Sequence, residues 1–189
     1  MRVELVVWSA EQARRRLCGL GRRWLHTRGV AARAQALGAI VAEVDREVLI
    51  AAAYLHDIGY APELVTTGFH PLDGAHWLRG QGYERLACLV AHHSGARFEA
   101  QVKGFSDALD GFPQEHSLTA DLLTYCDLTT DPDGVQITPS ARLAEVRHRH
   151  GAESEVARGL DAAEAALIEL VARTEQRIAD RTAATRSAS

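Results

Sequence analysis

The sequence predicts an all-α fold. Three observations point there. Alanine and leucine are abundant, apolar residues recur at helical spacing, and strand-like alternation is scarce. Of the 189 residues, 47% are hydrophobic and 24% charged, which is ordinary for a globular domain. That length fits one domain, or one domain with an appended helix, and buries a core without help from disulfides or structural metal. A metal site in such a chain is therefore read first as functional.

The elements follow in order. Ser9-Ala10-Glu11-Gln12 reads as a capping box that opens a first short helix, and Gly19 and Gly21 end it. A second helix is predicted from about Arg22 to Glu43. Asp45 N-caps a third, which runs through Leu49 and Leu55 to His56-Asp57 and stops at Gly59. The stretch from Pro62 to Phe69 is loop. Pro71 suits the first turn of a short helix to about Arg79. Another helix is predicted over Tyr83 to His93, closed by Ser94-Gly95. Arg97 to Pro113 contains glycine and reads as a lid or binding loop. Helix resumes from His116 to Asp127, and Asp131-Pro132-Asp133-Gly134 is a turn. Ser140 caps a helix to about His150. The domain is therefore placed at residues 1–150, a C-terminal helix at 151–180 and a disordered tail at 181–189. Leu160, Leu167, Val171 and Ile178 form a stripe on the last helix, for packing onto the domain or for a homodimer.

Composition excludes several classes. Net charge is −4, so binding nucleic acid by bulk positive charge is not expected. Twenty arginines against one lysine read as coding bias. Three cysteines with no C-x-x-C support neither a disulfide framework nor a thiolate zinc site, and reduced thiols fit a cytoplasmic protein. The longest apolar run, Val48 to Leu55, is far short of a membrane span.

The informative pattern is where polar residues fall. Leu49 to Leu55 is apolar nearly all round and ends in His56-Asp57. Leu86 to Ala91 ends in His92-His93, and Leu122 to Cys126 ends in Asp127. Burying unpaired carboxylates and imidazoles is costly. Three buried helices with such groups at one end point to ends that converge and compensate one another. A metal ion is the obvious compensator, and imidazole with carboxylate suits zinc, manganese, iron or similar ions.

This set resembles the HD superfamily of metal-dependent phosphohydrolases. His56-Asp57-Ile58-Gly59 is similar to its HDIG signature. The family pattern has a histidine on an early helix, the His-Asp pair and a later aspartate, which His26 and Asp127 match. The resemblance implies an HD-type helical bundle in which His26, His56, Asp57 and Asp127 hold a first divalent ion. His70-Pro71-Leu72-Asp73-Gly74 and His92-His93 look like segments of the dinuclear branch, which includes the HD-GYP phosphodiesterases. That likeness implies a second ion on His70, His92 and His93, bridged by Asp57. The chain departs from the HD-GYP pattern at Tyr60, where that branch usually has lysine, and it has no evident GYP segment.

The activity implied is hydrolysis of a phosphate ester, in a nucleotide or small phosphorylated metabolite, by metal-activated water. The ions would be two per chain and could be Mn, Fe, Zn, Co or Mg. Five neutral imidazoles and two carboxylates around two divalent ions leave a local charge of about +2, which favours a small anionic substrate. Arg97 and Lys103 are the expected phosphate clamps, with Arg28 a weaker one. His76 reads as surface, and His148 and His150 as a solvated helix end. Two other classes stay open: a di-iron oxygenase on the same scaffold, whose second iron is held by two histidines, and a non-catalytic nucleotide-binding module.

Overall fold

The computed structural model describes residues 2–187, with side chains from 4 to 184. Among them the regular structure is helical, and the one extended feature is an isolated bridge between Thr130 and Gln136. The helices are α1 (Arg2–Leu17), α2 (Arg22–Leu37), α3 (Glu43–Leu55), α4 (His70–Gly80), α5 (Glu84–His92), α6 (Ala96–Lys103), α7 (Ser106–Asp110), α8 (Leu118–Leu128), α9 (Pro139–His150) and α10 (Glu155–Ser187).

Helix α3 is the axis of the bundle. Ala42 enters it in an extended conformation, and Glu43 and Asp45 in the first turn favour the positive end of its dipole. Leu49, Ala51, Ala52, Ala53 and Leu55 are all 0% exposed. The alanines let α1, α2 and α8 approach closely, and all three pack on α3. Helices α4 and α5 form an antiparallel pair beside it, and α10 packs on α6, α8 and α9. Tyr125, Leu128, Leu143, Ala163, Leu167 and Val171 make a second apolar cluster that fixes α10 to the bundle.

Several elements differ from the sequence expectation. Helix α1 starts at Arg2, so Ser9 lies mid-helix and fully buried instead of capping. Leu5 and Trp8 pack on the core, and that burial extends the helix back past the capping-box signal. Helix α2 ends at Leu37, not near Glu43, and Asp45 sits inside α3, paired with Arg85 at 2.7 Å. Helix α8 starts at Leu118, near the expected His116, with Ser117 as its cap accepting from Ala120 N, and Thr138, not Ser140, caps α9, accepting from Ala141 N. The expected loop from Arg97 to Pro113 is largely α6 and α7, with Ala96, Ala100, Leu109 and Phe112 buried against the bundle. Helix α10 continues through Ser187, where a tail had been expected from Arg181. No glycine or proline interrupts that stretch, and Thr182 Oγ1 donates back to Ile178 O at 2.8 Å. Residues 188–189 lie outside the described residues.

The buried Ser9 hydroxyl has no hydrogen-bond partner. An unsatisfied buried donor costs on the order of 1–3 kcal/mol. Ser9→Ala is therefore expected to stabilise the protein by about 1 kcal/mol in urea unfolding. A lower unfolding midpoint in the variant would contradict this account of α1.

Candidate metal centre

The site forms where α2, α3, α5 and α8 bring their polar residues together. His26 comes from α2, His56 and Asp57 from the end of α3, His70 from the start of α4, His93 from just past α5, and Asp127 from the last turn of α8. His26, His56, Asp57, His93 and Asp127 are each at most 8% exposed. His26, His56 and Asp57 form one group that could hold an ion, and Asp57, His70 and His93 form a second. Asp57 belongs to both.

Backbone carbonyls fix the imidazoles. His26 Nδ1 lies 3.0 Å from Asp131 O, His56 Nδ1 2.8 Å from Ala53 O, and His93 Nδ1 2.6 Å from Val90 O. A carbonyl only accepts, so each Nδ1 carries the proton. In the neutral ring each Nε2 then aims a lone pair inward. The Nε2 atoms of His26 and His56 are buried and have no hydrogen-bond partner. They face carboxylates instead: His26 Nε2 is 2.9 Å from Asp127 Oδ1, and His56 Nε2 is 3.4 Å from Asp57 Oδ2. His70 Nε2 is 3.4 Å from both Asp57 Oδ1 and His93 Nε2. Acceptors this close need a shared proton or a cation. The donor set of imidazole nitrogen and carboxylate oxygen fits a divalent transition ion.

Charge is arranged around Asp57. Arg23 Nη1 is 2.5 Å from Asp57 Oδ2. Burial alone would raise the Asp57 pKa, but Arg23 and His56 outweigh it and hold the carboxyl well below its usual range. Asp127 is likewise held low against burial by His26, His56 and Arg142, and Ser94 Oγ donates to its Oδ2. For His56, burial is overcome by Asp57 and Asp127, and the pKa rises. For His70 burial wins, helped by His93 and Arg23, and the pKa falls well below the usual imidazole value. His93 is lowered too, by burial and then by His56. Tyr60 lies between Arg23 and His70: the guanidinium sits 4.0 Å from its ring centroid on one side, and the imidazole stacks at 4.1 Å.

Local backbone explains the aim of these groups. A Cβ on Gly59 would lie 2.1 Å from His70 O, so only glycine lets the start of α4 settle against the end of α3. A Cβ on Gly29 would lie 2.6 Å from Gly134 Cα, and that close contact seats on α2 the turn whose Asp131 carbonyl orients His26. Ser94 takes a left-handed conformation (φ 50) and is held there by its N–H donating to Thr124 Oγ1 at 3.1 Å.

Not every expected residue reaches the centre. Helix α5 ends at His92, and the chain turns extended at His93, so the two imidazoles diverge. His92 Nε2 donates to Phe112 O at 2.6 Å, away from Asp57. Arg97 stacks its guanidinium 4.6 Å from the Phe98 ring and lines a different depression, with His92 and Gln114. Lys103 pairs with Glu99 at 3.3 Å. Both were expected on a loop over the site, but α6 turns them elsewhere. Arg28 is exposed on the outer face of α2. Conversely, Arg23, Arg142, Arg149 and His150 line the cavity beside Asp57, with Ser94, Tyr60 and Glu99. His150 is exposed at the end of α9, as expected, and also borders the cavity. Arg23 was detectable from spacing, since it sits three residues before His26 on one helix face. Arg142 and Arg149 are seven apart on α9, again one face, but nothing in the sequence says which way that face turns.

A family model described as HD domain matches residues 23–145, well over half of the chain. The chain belongs to the HD-domain family. HD-domain proteins are in general metal-dependent hydrolases, and the His/Asp cluster of this one is a candidate metal-binding group of that kind. No curated protein and no solved structure gives a match. No helix of the described residues is long and apolar enough to cross a membrane.

The His70 shift has a pH consequence. Its folded pKa lies below its unfolded value of about 6.5, so the unfolded chain takes up the proton first as pH falls. Folded stability from this group is present above that unfolded value and is lost below it, by at most about 1.4 kcal/mol per pH unit. In chelator-treated protein, melting temperature is expected to fall more steeply from pH 7 to pH 5 in the wild type than in His70→Asn. Parallel curves would remove His70 from the buried cluster.

Proposed function

We propose that this HD-domain protein is a metal-dependent phosphohydrolase acting on a small phosphorylated metabolite. The observation that carries the reading is the cavity over Asp57. It places Arg23, Arg142 and Arg149 beside the two carboxylates and four imidazoles that face one another. Guanidinium groups next to a cation-binding cluster suit a phosphate oxygen on one side and a metal on the other. The cavity measures about 100 Å³. The departures from the HD-GYP pattern at Tyr60 and in the absent GYP segment support a small metabolite over a cyclic dinucleotide.

The chain's own residues have distinct tasks in this reading. His26, His56, Asp57 and Asp127 would hold one divalent ion, and Asp57, His70 and His93 a second, so Asp57 is the bridge. When bound, such ions lower the pKa of water and offset charge on phosphoryl oxygens. Arg23 holds the Asp57 carboxylate in place and Tyr60 holds Arg23. Arg142, 3.5 Å from Asp127 and 5% exposed, takes the phosphate-clamping role expected of Arg97 and Lys103. Glu99 is the cavity carboxyl outside the ligand cluster. Burial raises its pKa against the pull of Lys103, which suits a proton carrier for the leaving group.

One observation favours a second reading. With His92 turned to Phe112, the second group keeps two imidazoles, His70 and His93, which is the count implied for the di-iron oxygenases on this scaffold. Metal content and product separate the two. Protein purified without chelator and without oxygen is expected to carry two ions per chain and to release inorganic phosphate from small phosphate monoesters. Iron with O₂ uptake and no phosphate release would replace the hydrolase by the oxygenase.

Variants test the ligand set by metal analysis. Asp57→Ala is expected to lose both ions, His93→Ala only the second, and His92→Ala neither. Arg23→Gln, which removes the partner of the bridging carboxylate, is expected to cost about 10–100-fold in metal affinity or activity. Loss of an ion in His92→Ala would restore His92 to the ligands.

A further inference from the structure

The cavity has two halves of different origin. The floor is the cluster around Asp57, from elements within the matched span 23–145. The facing wall lies outside that span: Arg149 and His150 end α9, and Val156, Gly159, Leu160 and Ala163 belong to α10. This wall is not generic apolar cover. Arg149 is one helical face with Arg142, seven residues earlier, and both lean on a single carboxylate. Glu145 lies 2.5 Å from Arg142 Nη1 and 3.5 Å from Arg149 Nε. Arg23 pairs with Asp57, Arg142 with both Glu145 and Asp127, and Glu99 with Lys103. Arg149, whose carboxylate contact is Glu145 at 3.5 Å, is the most loosely paired of the three guanidiniums that line the cavity. Burial, and after it the guanidiniums of Arg23 and Arg142, disfavours the Arg149 charge against the pull of Glu145, and an incoming anion would offset that. Val146, Leu160 and Ala163 add apolar lining to the wall.

We propose that Arg149 is a specificity-determining residue that binds a second anionic group, a carboxylate or another phosphate, on the substrate end away from the scissile phosphate. The substrate class is then a short bis-anionic metabolite: a phosphate, a few carbons, and a second anion. This rests on the phosphate-ester reading above and adds to it which phosphate esters are preferred.

The test is equilibrium binding to the metal-loaded protein by calorimetry, with non-hydrolysable probes. Methylphosphonate carries one anionic group. 3-Phosphonopropionate adds a carboxylate, and propane-1,3-bisphosphonate adds a second phosphonate. Metal content is measured after each titration, so that stripping by the probe is seen. Wild-type protein is expected to bind at least one of the two bis-anionic probes about tenfold or more tightly than methylphosphonate. Which one gains tells whether the second group is carboxylate or phosphate. In Arg149→Gln the ratio is expected to fall to about one, and in Arg149→Lys to an intermediate value. Arg149 is a third exposed, so its replacement leaves the core intact, and an unchanged melting temperature checks this. A wild-type ratio near one, or a ratio that survives in Arg149→Gln, overturns the proposal. Failure of all three probes to bind the loaded protein overturns the phosphate-ester reading itself, which is a separate result.

Discussion

The structure depends on burying the Asp57 carboxylate at the centre of a helical bundle. At 2% exposure it stays ionised only because Arg23 and the surrounding imidazoles face it. Each of those partners has a fixed approach. Arg23 and His26 come one turn apart on α2, His56 precedes Asp57 at the end of α3, and His70 opens α4 against Gly59. Remove the carboxylate and a cluster of buried cationic and imidazole groups loses its counter-charge. Breaking one side of such a buried pair costs on the order of 3–5 kcal/mol, more than any surface ion pair here supplies. The helices therefore have to meet at their ends, and the alanine-rich sides of α3 make that meeting possible.

How much of this was legible differs by kind of residue. His56, Asp57, His93 and Asp127 could be picked out because a polar group ending an apolar helix has few places to go, whereas His26 and His70 were reached through the resemblance to the HD superfamily. Burial of the helix drags the group inward, and only convergence makes that affordable. His92 could not be told from His93 by composition. What separates them is one residue of helix termination, set by Ser94 in its left-handed turn and its bonds to Thr124 and Asp127. Those are contacts across tens of residues, and no local pattern announces them.

The cavity wall was illegible for another reason. Arg97 and Lys103 follow the paired histidines in sequence, so a loop carrying them over the site was the natural expectation. The segment instead coils into α6 and α7 because Ala96, Ala100, Leu109 and Phe112 find buried places. The arginines that do line the cavity sit on α9, whose rotation about its own axis is decided by Leu143 packing against α10. A basic helix face reads the same from sequence whether it meets water or a cleft. The capping box at Ser9 failed similarly: the local signal was sound, and the burial of Leu5 and Trp8 was stronger.

The carbonyl anchors on His26, His56 and His93 carry a consequence for how long the protein persists in a cell. They hold His26 Nε2 2.9 Å from Asp127 Oδ1, a contact that a shared proton or a cation makes favourable. Ring rotation cannot separate the pair without giving up a buried carbonyl. A divalent ion is the candidate for that cation. By mass action, the folded population then follows the concentration of that cation, gaining about 2.7 kcal/mol at a hundredfold excess over the dissociation constant. Scarcity of such an ion would then lower the energy needed to open the bundle. Abundance of such a protein would track metal supply through its turnover, with no dedicated sensor.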